Sequence, residues 1–456
     1  MGNKNYNIGL KLDKNFTPAV LYINDLKKEI LKTDDYNKVS IVIERMDGYN
    51  ESYETVVFGD NNKRFDENIF YLERLIKSLL WIYGGFKITI VGSKKIYENL
   101  KPIFTGGKRK FDTEFMTRIY EEDFKFLYSD TLPNIKKGDQ AIGKHLDGYR
   151  IGFDAGGSDM KVSAVVNGES IHSEEIVWLP KVNKDPMYHK KMIRKAIYKA
   201  VEKLPKVDAL GVSSAGVYIH NEAKVASLFI EVPLDLFEKH VKNIYKDIAK
   251  ELNVPLVVAN DGDVTALAGS MSLGKNSLLG IAMGTSEAAG YVNEKGNIVG
   301  WLNELAFVPV DYQENGPNDE WSNDIGCGVK YFSQDAVIRL AEKSGITFDE
   351  TLSPAEKLLI VQNLDSNSDI YKTIYHTMGV YLGFGLALYR EFYDFNDILL
   401  LGRVTSGVGG QIMIKQAKET LKEYFPELSK TITFNLPDEW TRRVGQSIAA
   451  ASLVKL

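Results

Sequence analysis

Cysteine is almost absent from this chain: Cys327 is the only one in 456 residues. One thiol excludes an intramolecular disulfide and any metal site built from several cysteines, and it points to a reducing compartment. An excess of positive charge is missing too. The net charge of −5 leaves no electrostatic footprint for nucleic acid. Residues Met1–Asn7 lack a cationic start followed by an apolar run, so they do not read as a secretory signal. Met1–Gly2 lacks the Ser or Thr at position 6 that myristoylation needs, because Tyr6 stands there. No long hydrophobic run is present. The most apolar stretch, Leu75 to Val91, is broken by Lys77, Lys87 and Gly84–Gly85, and reads as a helix followed by a strand rather than a membrane span. These absences describe a cytoplasmic protein without a membrane or nucleic-acid partner. What is present, 44% apolar and 26% charged residues, is the balance of a soluble globular protein, and the length implies two or three domains.

The chain is organised around Ile151–Gly152–Phe153–Asp154–Ala155–Gly156–Gly157–Ser158–Asp159–Met160–Lys161. Apolar Ile151 and Phe153 alternate with Gly152 and Asp154, the period of a strand, and the two glycines turn the backbone sharply before a second strand. A carboxylate at a strand end, two glycines, a hydroxyl and a lysine suit a nucleotide phosphate with its magnesium: N–H groups meet phosphate oxygens, Lys161 adds charge, and Asp154 holds the metal's water shell. An ordinary hairpin turn would use the same residues.

Residues 1–148 read as an α/β unit, with strands at Val39–Ile43, Tyr53–Phe58 and Phe86–Val91 and helices at Phe70–Tyr83 and Ser93–Ile103. The clusters Lys108–Arg109–Lys110 and Lys136–Lys137 read as solvated loop charges, and no helix–turn–helix pattern is found there. From Tyr149 the order becomes regular. Strands at Ile151–Asp154, Lys161–Val166 and Ser170–Trp178 lead to a helix at Tyr188–Leu204, a strand at Ala209–Ser213, a helix at Pro233–Leu252, a strand at Pro255–Ala259 and a helix opening at Asn260–Asp261. A similar order follows. Strands at Ser277–Met283 and Ala288–Val292 precede helices at Val329–Lys343, Pro354–Asn363 and Ser368–Tyr393, a strand at Asp397–Leu401, a helix from Gly407 to Tyr424, a strand at Thr431–Phe434 and a helix at Arg443–Val454. Two βββαβα-like halves, at 149–275 and 276–456, make a duplicated α/β architecture without residue-by-residue repetition, and the last helix is free to return to the first half.

Five motifs in this order resemble the repressor/open-reading-frame/kinase (ROK) family, within the actin–hexokinase superfamily, over about two thirds of the chain. Asp154–Ala155–Gly156–Gly157–Ser158 stands where that family has its first phosphate loop. Gly211–Val212–Ser213–Ser214–Ala215–Gly216 stands where it has Gly-x-x-Ala-Pro-Gly. Val258–Ala259–Asn260–Asp261–Gly262–Asp263 resembles its Glu-Asn-Asp-Ala-Asn segment, Met283–Gly284–Thr285–Ser286 its second phosphate loop, and Leu399–Gly402 with Gly407, Gly409 and Gly410 its adenosine loop. The resemblance implies a two-lobed ribonuclease-H-like fold with ATP and Mg2+ between the lobes, an ATP-dependent kinase of a hexose or hexose derivative, and leaves a homodimer open. It makes Asp261 the base that takes the sugar hydroxyl's proton, with Ser213, Asn260 and Glu304 binding sugar. A helix N-cap is the other reading of Asn260 and Asp261, and a plain hairpin turn that of Gly284–Thr285–Ser286. A non-catalytic ROK-type sugar sensor is the alternative function.

Departures from the family pattern are specific. Phe307 stands where a zinc-ligating histidine is usual, and Cys327 alone cannot build a tetrahedral site, so no structural zinc is expected. Glu287 follows the second phosphate loop in place of glycine. A carboxylate there must point away from phosphates or share their metal. Lys330 falls near the position of a second sugar-binding acid; it serves either an anionic substrate or, as a helix-start lysine, the solvent.

Overall fold

A computed structural model describes residues 6–138, 142–437 and 445–456. The N-terminal region holds α1 (Ala19–Ile30), β1 (Tyr36–Glu44), β2 (Asn50–Phe58), α2 (Phe65–Tyr83), β3 (Lys87–Val91), α3 (Lys94–Phe104), α4 (Lys110–Tyr120) and β4 (Lys125–Ser129). Its sheet has the order β2–β1–β3–β4, with β1 antiparallel to both neighbours and β3 parallel to β4. The sequence reading passes over α1, although Ala19, Val20, Ile23, Leu26 and Ile30 give it a buried stripe at helical spacing. Ser93 caps α3 by accepting the Ile96 N–H, the favoured use of a serine at that position.

Helix α2 is buried on nearly every side, the environment of a core helix rather than a surface one. Its residues Leu75, Leu79 and Trp81 share one continuous apolar cluster with Ile281, Leu305, Tyr381 and Leu400 of the C-terminal half. It also carries two buried cations, Arg74 and Lys77. Arg74 Nη1 and Lys77 Nζ each lie 2.6 Å from Asp324 Oδ2, and Arg109 Nη1 lies 2.7 Å from the same atom. Arg109 also pairs with Glu73. Arg109 is thus not the solvated loop charge its sequence context suggests: it is 2% exposed, because the carboxylates that neutralise it come from α2 and from a distant loop. Burial alone would raise the Asp324 carboxyl, but Arg74, Lys77 and Arg109 hold it far below the usual carboxylate range. Asp324→Ala would remove the carboxylate that three buried cations share and leave Arg74 without an ion pair. The expected loss is about 3–5 kcal/mol in urea unfolding, the cost of breaking a buried pair from one side. A loss below about 1 kcal/mol, the scale of an exposed pair, would contradict the cluster's structural role.

The next segment contributes β5 (Tyr149–Ala155), β6 (Asp159–Val166), β7 (Glu169–Val177), α5 (Pro186–Val201), β8 (Ala209–Ser214), the hairpin β9 (Val217–Ile219) and β10 (Glu222–Val225), the short α6 (Leu234–Leu236), α7 (Ile244–Leu252), β11 (Leu256–Asn260) and α8 (Asp261–Leu273). The five-stranded sheet runs β11–β8–β5–β6–β7, with β5, β8 and β11 parallel and β5–β6–β7 an antiparallel meander. The single helix expected over Pro233–Leu252 is instead α6, a π-helical turn at Phe237–Val241, and α7.

The last segment holds β12 (Leu278–Met283), β13 (Glu287–Val292), the two-residue strands β14 (Asn318–Asp319) and β15 (Asp324–Ile325), α9 (Gln334–Lys343), α10 (Pro354–Gln362), α11 (Asp369–Tyr389), β16 (Asp397–Leu401), α12 (Gly407–Tyr424), α13 (Pro426–Thr431), β17 (Thr433–Asn435) and α14 (Gln446–Ala451). Its main sheet is β13–β12–β16–β17, with β12, β16 and β17 parallel. The third strand of the repeating βββαβα pattern is reduced here, among the described residues, to isolated bridges of Ile298 with Val292 and Ile142. Helix α9 starts at Gln334, not at Val329, because the Ser333 side chain caps it by accepting the Asp335 N–H. Arg443, the expected start of the last helix, lies outside the described residues. Helix α14 packs on β5 and β8 of the first sheet and on α8. No described helix is long and apolar enough to cross a membrane.

Candidate active site

The site is built at the C-terminal ends of parallel strands, where α/β folds gather ligands. Asp154 is near the end of β5 and Ser213 near the end of β8, paired in register. The Ser213 hydroxyl donates to Asp154 Oδ1 at 2.7 Å. Beyond Asp154, Gly157 and Ser158 are exposed at the β5–β6 turn, and Gly156 beside them has its carbonyl held by the Trp178 indole N–H at 2.9 Å. Lys161 is the cross-strand partner of Asp154, and its ammonium lies 3.8 Å from Asp159.

Asn260 ends β11 and caps α8. Its Oδ1 accepts the Gly262 N–H at 2.7 Å, and its amide donates to the Gly216 carbonyl at 2.8 Å. The helix-cap reading of Asn260 is thus what the structure shows: its side chain fixes the helix start, and the cap presents Asp261 in the first turn. Gly262 and Gly290 of β13 press backbone on backbone. A Cβ on either would overlap a carbonyl of the other strand or helix, so the glycines let Asp261 stand directly against the C-terminal half. Gln446 of α14 donates to the Ser213 hydroxyl at 3.2 Å and to the Asp261 carbonyl at 3.3 Å, linking the two strand ends.

On the other side stand Gly284, Thr285 and Ser286 at the β12–β13 turn. The Gly284 carbonyl accepts the Gln334 N–H at the start of α9, while Thr285 and Ser286 are exposed. Gly402 ends the neighbouring β16 with φ of 95°, in the region that favours glycine, and a side chain there would run into the Met283 carbonyl. Gly402 and Gly407 are exposed, whereas Gly409 and Gly410 are buried against the Tyr375 ring and the Thr405 carbonyl. Gly409 and Gly410 thus pack inward, and Gly402 and Gly407 form the open surface of that loop. Glu287 points away from the turn: it is 2% exposed and accepts the Tyr389 hydroxyl at 3.0 Å. Lys330 does not face solvent. It is buried and salt-bridged to Glu320, at 2.6 Å, and to Asp335, at 3.0 Å.

Glu304 is placed by a helix no motif points to. The last turn of a helix leaves carbonyls without intrahelical partners. In α2 the Trp81 carbonyl takes the Glu304 N–H at 2.9 Å and the Ile82 carbonyl takes the Asn303 N–H at 3.0 Å. Phe307 stacks on Trp81 with ring centroids 4.0 Å apart. The Asn303 side chain donates to Asp263 at 2.8 Å and accepts the Tyr393 hydroxyl at 3.0 Å. Among the described residues nothing donates a hydrogen bond to the Glu304 carboxylate, which leaves it open to a ligand. Cys327 is buried with Lys77 Nζ 3.5 Å from its sulfur. Among the described residues no group of three or more His, Cys, Asp or Glu side chains is arranged to hold a metal ion.

Sequence reasoning missed one cation. Lys181 follows β7 in a short helical turn, Pro180–Val182, and its Cε and Nζ lie 3.4 Å from where a Cβ on Gly157 would be. Burial raises the Asp261 carboxyl, opposed by its hydrogen bonds to backbone N–H groups and by the Lys181 charge. The only hint in sequence is its place four residues after strand β7 and three after Trp178, whose indole closes the β5–β6 turn.

The acids around this centre share one direction. Burial first, then neighbouring carboxylates, push Asp154, Asp263 and Glu304 up to about 7, and burial pushes Glu287 up to about 8. Unfolded, such groups release their protons near pH 4. Between these limits the folded chain holds more protons than the unfolded one, so stability falls as pH rises. The thermal midpoint without ligand should therefore drop between pH 6 and pH 8, and Glu287→Gln should lessen the drop. A midpoint that climbs across that window would contradict the burial of these acids.

No family model matches the sequence, and no curated protein matches it. Solved structures do. The ROK hexokinase from Thermus thermophilus superposes with a TM-score of 0.52 at 15% identity, over 66% of this chain and 96% of its own. The chain has the ROK fold. A ROK family transcriptional regulator, a homologue of the E. coli MLC protein, superposes with a TM-score of 0.50 at 16% identity, over 68% of this chain and 79% of its own. A ROK family glucokinase from Streptomyces griseus, solved with glucose and AMPPNP, gives a TM-score of 0.48 at 18% identity, over 67% and 98%. About a third of this chain lies outside the ROK fold as the hexokinase carries it.

Proposed function

We propose that this chain is a ROK-family kinase that transfers the γ-phosphoryl group of Mg-ATP to a hydroxyl of a hexose or hexose derivative, with Asp261 as base. The carrying observation is Asp261 itself. It opens α8 at a strand end, burial raises its carboxyl above the usual carboxylate range, and its charge is felt both by Asp154 in its own half and by Glu304 in the other. In this reading residues 1–148 form an N-terminal unit and 149–275 and 276–456 the two lobes, acting in the cytoplasm.

The residues fit a magnesium nucleotide. Exposed Gly157, Ser158, Thr285 and Ser286 and the exposed glycines Gly402 and Gly407 can supply N–H and O–H donors, and Gly284, whose own N–H is bonded to the Ser286 carbonyl, leaves the space beside them open. Asp154, fixed by Ser213, can hold a magnesium ion through its water shell. The magnesium nucleotide supplies the phosphoryl group and neutralises part of its charge. The chain's own residues do the rest. Glu304 and Asn260 orient the sugar, Asp261 takes the proton from its attacking hydroxyl oxygen, and Lys181 stands where charge on the transferred group can be met.

The test is calorimetric titration of Mg-ATP with and without hexoses, among them glucose, mannose and their N-acetylamino derivatives. Binding of about −4 to −8 kcal/mol, a millimolar to micromolar constant, is expected. No nucleotide binding even with a bound sugar overturns the kinase and favours the sensor. One observation specifically supports that second reading: the acid that would sense sugar, Glu304, hangs from α2 of the N-terminal region.

A further inference from the structure

Three parts of the chain enclose a cavity of about 370 Å³ next to the proposed acceptor site. Arg45, Tyr49 and Tyr120 reach it from the N-terminal region, Tyr218 and Asn260 from the first half, and Trp301 from the second. The size falls in the range of small-molecule pockets, roughly 300–1,000 Å³. Asn260 lines it, one residue from Asp261, and so does Asp263, whose charge acts on Glu304. Asn260 and Asp263 thus put the cavity beside Asp261, which stands between them at the start of α8.

Its chemistry is two-sided. Tyr49, Tyr120, Tyr218 and Trp301 offer aromatic surface, on which the C–H face of a sugar ring can lie. The polar edge offers the Asn260 amide and Arg45, which is 7% exposed and leaves its Nε without a partner. The charged groups in the walls already have partners, Asp263 among them, which accepts the Asn303 amide at 2.8 Å. Arg45 pairs with Glu51 at 3.3 Å and donates to the Gly300 carbonyl at 2.8 Å, and His220 meets Asp47 at 3.0 Å. Charged groups that already have partners, a wall carboxylate at Asp263 and aromatic faces do not suit a phosphate or a second carboxylate. They suit an uncharged polyhydroxyl ring.

We infer that this cavity is a subsite for a second, neutral sugar unit, so that the preferred acceptor is a disaccharide or glycoside whose reacting ring sits at Asp261 and whose other ring lies against Tyr49 and Trp301. The inference rests on the sugar-site reading of Asn260, Asp261 and Glu304, not on nucleotide use. The test is calorimetry on the full chain without nucleotide, comparing each monosaccharide with its disaccharides: glucose with maltose and cellobiose, galactose with lactose. At least one disaccharide should bind tenfold or more tightly than its monosaccharide. Tyr49→Ala, which removes a wall, and Val299→Trp, which adds bulk at another lining residue, should each lose that margin while monosaccharide affinity stays within about twofold. Equal affinity for mono- and disaccharides in the wild-type chain, or equal losses for both in the variants, overturns the subsite. If Mg-ATP and a monosaccharide are turned over but no disaccharide binds better, the subsite falls and the kinase stands. If a disaccharide binds as described but no nucleotide does, the kinase falls and the subsite stands. Binding of no sugar at all overturns both.

Discussion

Asp261→Asn should lower turnover by at least about 10²-fold, the usual share of a positioned general base, while leaving sugar affinity nearly unchanged. The amide matches the carboxylate in shape and can still accept the Gly262 N–H, so α8 should start where it does now. What it cannot do is take a proton. The Asn260 cap, the Gly262–Gly290 contact and the Gln446 bond to the residue's carbonyl are all indifferent to the change. A loss confined to kcat would therefore report chemistry, and a loss confined to KM would report binding. Retained turnover would remove Asp261 from the mechanism. The wild-type rate should also rise with pH through the base's raised range, a limb the variant lacks, because the carboxyl must be ionised to act.

Lys181→Met should cost about 10²–10³-fold in kcat, the scale of losing one well-placed charge-stabilising donor. The lysine's stem lies along Gly157 at the phosphate turn, and its charge reaches Asp261, so it spans the line between donor and acceptor. The turn that carries it is braced by Trp178, whose backbone N–H meets the Ser158 carbonyl at 3.1 Å and whose indole meets Gly156. Methionine keeps the stem and removes the ammonium. Lys181→Arg should recover part of the rate, since charge returns in a different shape. Sugar binding without nucleotide should be the same in all three proteins. If Lys181→Met turns over like the wild type, the ammonium belongs to the solvent and the phosphate turn works through its N–H groups alone.

Much of the centre is legible in the sequence because its parts are local. A strand that ends in Asp-Ala-Gly-Gly-Ser, or in Asn-Asp before a helix, encodes its turn and cap within a few residues, and the parallel order of β5, β8 and β11 brings those ends together. The residues that escaped are those whose meaning is set by distant partners. Arg109 and Lys330 look like surface charges until Asp324, Glu73, Glu320 and Asp335 arrive beside them. Lys181 sits in no motif and gains its role only when the edge of the first sheet folds over Gly157. Glu287 looked like an intruder among phosphates; strand alternation across the β12–β13 turn sends it inward to Tyr389 instead. The break at Phe237–Val241 follows the same rule, because the pattern of apolar residues runs on through it and the π turn leaves no mark in composition.

If Glu304 holds the acceptor as proposed, the two carbonyls that α2 lends to Asn303 and Glu304 make the N-terminal region part of its mounting. Removing residues 1–148 would take away the two carbonyls that hold the Asn303 and Glu304 backbone, along with Trp81, against which Phe307 rests. A trimmed protein that bound sugar poorly would say nothing about the lobes themselves. Conversely, any ligand that pulls on Glu304 pulls on a 19-residue rod, and a rod moves at both ends.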